Sequence, residues 1–284
     1  MKASHPLISN NILYIIKTIK MVEKMSNDIL LRNFDVSNVK PIITSITNKT
    51  VVLDLDSTLV YTSNNINDLE KVYTDSNLTN RIFKLDIIDI SEKNEIKLEF
   101  WGIFRPYLSE FITFLITYFK EIYVYSAGIY KYVHLITDII FKKHPIKPKL
   151  ILSREDCVYF KDDFIKPLNN IFKRDENSNQ LNTFIIDDNP ISFSRNKENG
   201  ILISPYEPNI SELNNVDNAL LYLICWFSLS EVVNSYNIKL LNKNNIFNIS
   251  FDYYIENMDK NVLSIYKENL NKFNDISYIN NVIN

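Results

Sequence analysis

Val51-Val52-Leu53-Asp54-Leu55-Asp56-Ser57-Thr58 decides how this chain is read. Its first three residues are apolar and β-branched or leucine, the composition of a short strand buried on both faces of a parallel sheet. The run then turns acidic. Strand side chains alternate, so Asp54 and Asp56 belong to one side, and because the chain leaves the strand there, both can turn toward the sheet's end. A second run of the same form, Phe184-Ile185-Ile186-Asp187-Asp188, lies far downstream and closes on Asn189-Pro190.

Between and around these runs, strands alternate with helices. Residues 122–125 read as a strand ending in Ser126-Ala127-Gly128, followed by a helix over 130–141; further strands are expected at 150–152, 183–186 and 201–204. Residues 106–119 have the composition of a helix with proline near its first turn, and 216–234 read as one covering helix. This order predicts an α/β fold, a three-layer Rossmann-like parallel sheet flanked by helices, with ligands at the carboxyl ends of the strands. Period-two alternation in 81–90 (Phe83, Leu85, Ile87) and in 96–100 (Ile96, Leu98, Phe100), around polar 91–95, predicts an antiparallel β-hairpin or three-stranded insert. The expected organisation is an N-terminal helical extension over 1–47, one domain over 48–235 with the insert at about 62–104, and an Asn-rich extension over 236–284. The N-terminal extension carries Ile12, Ile15, Ile16, Ile19 and Val22 at helical spacing, as in an amphipathic docking helix. A terminal helix is expected over 262–273.

Composition excludes several functions. Three glycines, Gly102, Gly128 and Gly200, stand far apart in 284 residues, so neither a Walker phosphate loop nor a GxGxxG dinucleotide loop can be drawn. A net charge of −3 and a pI near 5.7 provide no broad basic footprint, and direct nucleic-acid binding is not expected. Mean hydropathy is −0.11, and no segment reaches the roughly 18 apolar residues of a membrane span, so no membrane association is expected. Two cysteines, Cys157 and Cys225, make neither a disulfide framework nor a zinc site, and reduced thiols in an intracellular setting, nuclear or cytoplasmic, are expected. Abundant Asn, Ile and Lys point to an AT-rich genome of viral or protist kind, so a viral protein inside a host cell fits the same reading.

Two carboxylates as close as Asp54 and Asp56 suit a division of labour, one attacking as nucleophile while the other moves a proton to and from the leaving oxygen. Asp187 and Asp188 beside Asp54 would repel one another unless a cation sat among them. Oxygen ligands with no His or Cys nearby favour Mg²⁺.

The sequence resembles the haloacid-dehalogenase (HAD-like) superfamily. Within it the chain is most similar to the RNA polymerase II carboxy-terminal-domain (CTD) phosphatases and their small relatives with the NLI-interacting-factor-like domain. The resemblance rests on VVLDLDSTLV at 51–60, FRP at 104–106, YSAG at 125–128, SREDCV at 153–158, Phe164-Ile165-Lys166 and FIIDDNP at 184–190, in the family's order. It implies a Mg²⁺-dependent phosphoserine/phosphothreonine protein phosphatase whose partner is a phosphorylated protein or peptide, the polymerase tail among them. Asp54 would form an aspartyl-phosphate, and Asp56 would act as general acid and then base with its backbone carbonyl on the metal. Thr58 would orient the loop. Ser126 and Lys166 would bind the phosphate, with Arg154 near the phosphosubstrate, and Asp187 and Asp188 would hold Mg²⁺. Arg105 and Lys131 also match the family but read as structural or surface residues. The insert, with Tyr73 and Phe83, would receive a proline-containing peptide.

A phosphatase of this fold acting on nucleic-acid ends or a small phosphometabolite is the rival enzyme, and an inactive phosphopeptide-binding scaffold is the rival of another class. Residues 62–104 mix charges without a basic run, which favours a peptide. Gly128 lies beside Ser126 in a turn that a β-carbon would crowd, so Gly128→Val is expected to reduce turnover more than Gly200→Val.

Overall fold

Val51, Val52 and Leu53 are wholly buried because β1 (Thr50–Leu53) has parallel neighbours on both sides. In the computed structural model, which describes residues 45–65, 69, 81–91, 94–208 and 217–274, β1 pairs with β5 (Glu121–Tyr125) on one side and β9 (Thr183–Asp187) on the other. β6 (Leu150–Leu152) and β10 (Gly200–Leu202) extend these edges into an all-parallel sheet of order β10-β9-β1-β5-β6. From β1 the chain winds outward through β5 and β6, then returns to β9 on the other flank and winds to β10. The strand order therefore reverses between β1 and β9, the place where such sheets hold ligands. The expected N-terminal helix and Tyr73 lie outside the described residues.

Alternation along the strands builds two cores. Val51, Leu53, Ile122, Val124, Phe184 and Ile186 face one side, and Val52, Tyr123, Tyr125 and Ile185 the other. The first side is covered by α1 (Leu108–Tyr118), α2 (Tyr130–Phe141) and α4 (Ala219–Phe227), and aromatic rings of sheet and helices interlock there: Phe119 just after α1, Phe184 of β9 and Trp226 of α4 all meet Phe227 within 5.2 Å between centroids. The second side receives the short α3 (Asn169–Phe172) through Ile171. Beyond the exposed Ser109 and half-buried Glu110 of its first turn, α1 is apolar nearly all round and buried all round. One side lies on the sheet, and the other lies under α7 (Lys260–Asn274), which contributes Val262, Tyr266 and Leu270 at one-turn intervals and ties Asn269 to the Thr117 hydroxyl at 3.0 Å.

The expected single helix over 216–234 is two helices, α4 and α5 (Ser230–Asn234). The Ser228 hydroxyl back-bonds to the Ile224 carbonyl at 2.8 Å, and Leu229 turns extended and bridges Met258. A serine hydroxyl competing for the helix carbonyl favours a bend. The freed Ser228 carbonyl accepts from the Asp259 amide at 2.7 Å, next to α6 (Phe251–Asn257), so the partner that stabilises the break comes from thirty residues downstream.

The insert is a three-stranded antiparallel sheet, order β2-β4-β3, formed by β2 (Val60–Ser63), β3 (Ile82–Ser91) and β4 (Asn94–Phe104). Phe83, Leu85 and Ile87 are buried as the alternation predicted, while Leu98 is exposed and Phe100 half-buried. Phe83 pairs with Gly102 and lies across it, so that a β-carbon at 102 would stand 2.2 Å from the ring.

After α2, His144 is buried against Phe141 with its Nδ1 unpartnered. Burial, helped by Lys147 and Lys143, pushes its imidazole down from 6.5 to about 4. The unfolded chain takes up a proton below 6.5 and the folded one does not until about 4, so this group's contribution to stability is complete above 6.5 and is lost as pH falls through that window. His144→Leu should therefore flatten the acid-side loss of stability by roughly 1–3 kcal/mol in denaturant melts between pH 7 and pH 4.5. Parallel pH profiles for the two proteins would remove His144 as the cause.

Candidate active site

The register Leu53↔Ile186 sets Asp54 beside Asp187 at the adjoining ends of β1 and β9, and the Asp54 amide continues the ladder to the Ile186 carbonyl at 3.0 Å. Both carboxylates are nearly sealed from solvent. Two adjacent buried anions need a cation, and Lys166 supplies it: its Nζ stands 2.5 Å from Asp54 Oδ1 and 2.7 Å from Asp187 Oδ2. Lys166 follows β8 (Asp163–Ile165), which pairs with β7 (Val158–Phe160), and its amide is anchored on the Ser192 carbonyl at 2.7 Å. Burial works against the ammonium, but the two carboxylates overcome it and hold Lys166 charged. Burial pushes Asp54 and Asp187 each up to about 6, opposed by the same lysine.

Past Asp54 the chain curls tightly. The Leu55 carbonyl accepts from the Leu59 and Val60 amides at 2.8 and 3.0 Å, and Ser57 takes a left-handed φ of 56° without being glycine. That conformation costs about 1–2 kcal/mol for a residue with a β-carbon. It is held from behind, where the Tyr206 amide donates to the Ser57 carbonyl at 2.6 Å and the buried Arg105 donates to the Thr58 carbonyl at 3.0 Å and pairs with Asp217 at 2.9 Å. Arg105 is accordingly structural, and Lys131 is an exposed residue of α2. Leu55 and Leu59 drop into the core, leaving Asp54 and Asp56 on the side of the cleft. The Thr58 hydroxyl lies behind them, 3.3 Å from Asp54 Oδ2 and 3.0 Å from Asp188 Oδ1, and accepts from the Asp188 amide at 3.2 Å.

The cleft, of about 610 Å³, brings together Asp54, Asp56, Ser126, Arg154, Lys166, Asp187 and Asp188, with Thr58 buried beneath. Ser126 directly follows β5; its hydroxyl accepts from the Gly128 amide at 3.0 Å and so both closes the turn and faces the cleft. Arg154 is exposed, donates Nε to the Ala127 carbonyl at 2.7 Å and lies over the Phe164 ring. Asp54, Asp187 and Asp188 can each offer an oxygen within 4.8 Å of the others. With Lys166 this trio keeps a formal excess of two negative charges, which one divalent cation balances, and an all-oxygen set suits Mg²⁺. The Asp56 side chain is turned away from that trio, toward Tyr132 and Thr62.

Tyr132, Thr62 and Asp163 are site residues that the motifs did not single out. Tyr132 could have been found from periodicity: it opens the buried face of α2 that continues through Val133, Ile136 and Ile140, in the turn that starts at the strand ends. Asp163 lines the cleft and accepts from the Asn189 amide group at 3.1 Å, which gives the residue after the paired acids a part in the rim.

Gly128 is crowded as expected: a β-carbon there would lie 2.8 Å from Tyr132 and 3.0 Å from Val133. The comparison with Gly200 needs correction. A β-carbon at 200 would lie 2.2 Å from the Phe193 ring, so Gly200→Val damages packing more severely and cannot serve as a tolerant control.

Removing the ammonium while keeping the stem should expose the cost of the buried anions. In the absence of divalent cations Lys166→Met is expected to lower stability by about 3–5 kcal/mol at pH 8. The two carboxyls, already raised to about 6 with the lysine opposing burial, rise further without it, so part of that loss should return as pH falls from 8 and they take up protons. Equal denaturation midpoints for Lys166→Met and the parent at pH 8 would contradict the bridging role.

The sequence model of the family described as NLI interacting factor-like phosphatase matches residues 49–239. CTD small phosphatase-like protein 1 of Caenorhabditis elegans is 27% identical over 62% of this chain and 31% of its own length. Phosphatase Herzog of Drosophila melanogaster is 25% identical over 60% of this chain and 42% of its own. The chain thus spans less than half of each of these relatives. Among solved structures, that of Fcp1, an essential RNA polymerase II CTD phosphatase, aligns at a TM-score of 0.47 and 15% identity over 73% of this chain and 63% of that one. With its two acid-ended strands, its bridging lysine and a family match covering most of its length, the chain belongs to the NLI interacting factor-like phosphatase family.

Proposed function

We propose that this chain is a Mg²⁺-dependent phosphoserine/phosphothreonine protein phosphatase that works through an aspartyl-phosphate on Asp54, with a phosphopeptide resembling the RNA polymerase II tail as substrate. The observation that carries this reading is the pairing of Asp54 with Lys166 at 2.5 Å in a cleft shared with Asp56. A carboxylate can attack an anionic phosphate only where positive charge offsets the repulsion, and Lys166 places that charge on the attacking group itself.

In the first step an Asp54 oxygen bonds to phosphorus as the bond from phosphorus to the seryl or threonyl oxygen breaks, and the proton on Asp56 passes to the departing oxygen. In the second, water attacks the same phosphorus, Asp56 takes a proton from it, and Asp54 is released with inorganic phosphate. Ser126 and Lys166 orient the phosphoryl oxygens, and Arg154 meets the phosphosubstrate at the rim. Asp54, Asp187, Asp188 and the Asp56 backbone carbonyl would hold Mg²⁺, which supplies charge neutralisation and fixes the position of the phosphate. A peptide is favoured over a nucleic-acid end because the lining has two cations, Arg154 and Lys166, against Asp54, Asp56, Asp163, Asp187 and Asp188, together with the apolar Phe100, Ile129 and Phe164. The name of one relative, CTD small phosphatase-like protein 1, points the same way.

Hydrolysis of 4-nitrophenyl phosphate should require Mg²⁺, stop with chelator, and fall roughly 10³-fold or more in Asp54→Asn. Undiminished turnover by Asp54→Asn would refute the mechanism. Phosphoserine heptad peptides should then be preferred to 5′-phosphorylated oligonucleotides in kcat/KM, and the opposite preference would turn the reading to end processing.

A further inference from the structure

Among the described residues Asp56 forms no ion pair, and Lys166 acts on it only at longer range. What holds it is a pair of hydroxyls from two different layers of the fold. The Tyr132 phenol, at the start of α2, donates to Asp56 Oδ1. The Thr62 hydroxyl, on β2 of the insert sheet, lies 3.0 Å from the same oxygen and 2.8 Å from the phenol oxygen. Among the described residues no other side chain donates to Asp56. The Tyr132 ring is itself confined. Phe100 of β4 packs on it at 5.4 Å between centroids, and Gly128 leaves the space that its edge occupies.

An oxygen that already accepts from two hydroxyls is a poor seat for a proton, since protonation there would displace a donor. The proton of a neutral Asp56 is therefore directed to Oδ2, and the plane of the carboxyl is fixed. We infer that Tyr132, seconded by Thr62, is the positioning residue for the proton-transferring carboxyl Asp56, locking Oδ1 so that Oδ2 serves the leaving oxygen. This rests on the reading of Asp56 as general acid. It goes beyond that reading by assigning the acid's aim to a phenol on the helix and a threonine on the insert.

A leaving group that departs without a proton separates aim from general damage. In kcat/KM, which reports steps through phosphoryl transfer to Asp54, Tyr132→Phe keeps the ring against Phe100 and loses only the hydroxyl. Its loss on a phosphoserine peptide, whose alkoxide needs a proton, should be about 10- to 100-fold, against less than about threefold on 4-nitrophenyl phosphate. Thr62→Val should show the same imbalance to a smaller degree and provides a second test from the insert sheet. Equal losses on the two substrates, or no loss on the peptide, would overturn the inference. Asp56→Asn is the reference. If it shows the imbalance and Tyr132→Phe does not, the phosphatase reading stands and the inference alone fails; if Asp56→Asn shows none, the acid assignment fails and takes the inference with it.

Discussion

Lys166 bridging Asp54 and Asp187 is the constraint around which the rest is arranged. Adjacent parallel strands that both end in a buried carboxylate cannot coexist without a counter-charge, because desolvating each anion costs several kcal/mol. The lysine that supplies it comes from neither strand. It is delivered by β8 and pinned through its own backbone to Ser192, so the connection between the sheet's two flanks must pass over the strand ends. Reversal of strand order between β1 and β9 places those ends at a crevice. Topology and electrostatics therefore fix the same point, and the cation deficit that one lysine leaves there is the reason a divalent metal suits it.

Most of the sheet could be read from the chain because its strands are apolar on both faces and end abruptly in polar residues. Val51-Val52-Leu53 and Phe184-Ile185-Ile186 show this form, and so does the strand before Ser126. The hairpin was legible from strict alternation, and α1 from being apolar nearly all round. The split between α4 and α5 was hidden, because Ser228 in a helical run becomes a break only when Met258 and Asp259 arrive to pair with it. The charged half of the site was legible because two apolar strands, at 51–53 and 184–186, both run into paired acids, which crowds carboxylates at one end of a parallel sheet. Its hydroxyl half was less so: Tyr132 and Thr62 are ordinary residues in a helix and a strand, and only their meeting at Asp56 gives them a role.

The scarcity of glycine has a structural counterpart. At each of Gly102, Gly128 and Gly200 a β-carbon would come within 3 Å of a neighbouring side chain, so none of the three is a free turn residue. Even the left-handed position at Ser57 is filled by a residue with a β-carbon. A glycine-rich phosphate loop binds anions through bare backbone amides and needs conformational freedom to present them. Here the groups facing the cleft are side chains on strand ends, and they hold position because the residues beneath them are wholly buried.

That choice divides the chemistry between two parts of the fold. Charge is handled by the parallel sheet, which contributes Asp54 and Asp187 directly and Lys166 through the β7–β8 hairpin. Orientation of Asp56 is shared with the insert, since Thr62 lies on β2 and Phe100, on β4, backs the ring of Tyr132. The same Phe100 lines the cleft where a substrate would rest. A substrate pressing on Phe100 therefore presses on the ring whose hydroxyl holds Asp56. The insert thus reaches Asp56 directly through Thr62 and indirectly through the Phe100–Tyr132 ring pair, and on the proposed mechanism this would couple the cleft lining to the carboxyl that moves the proton.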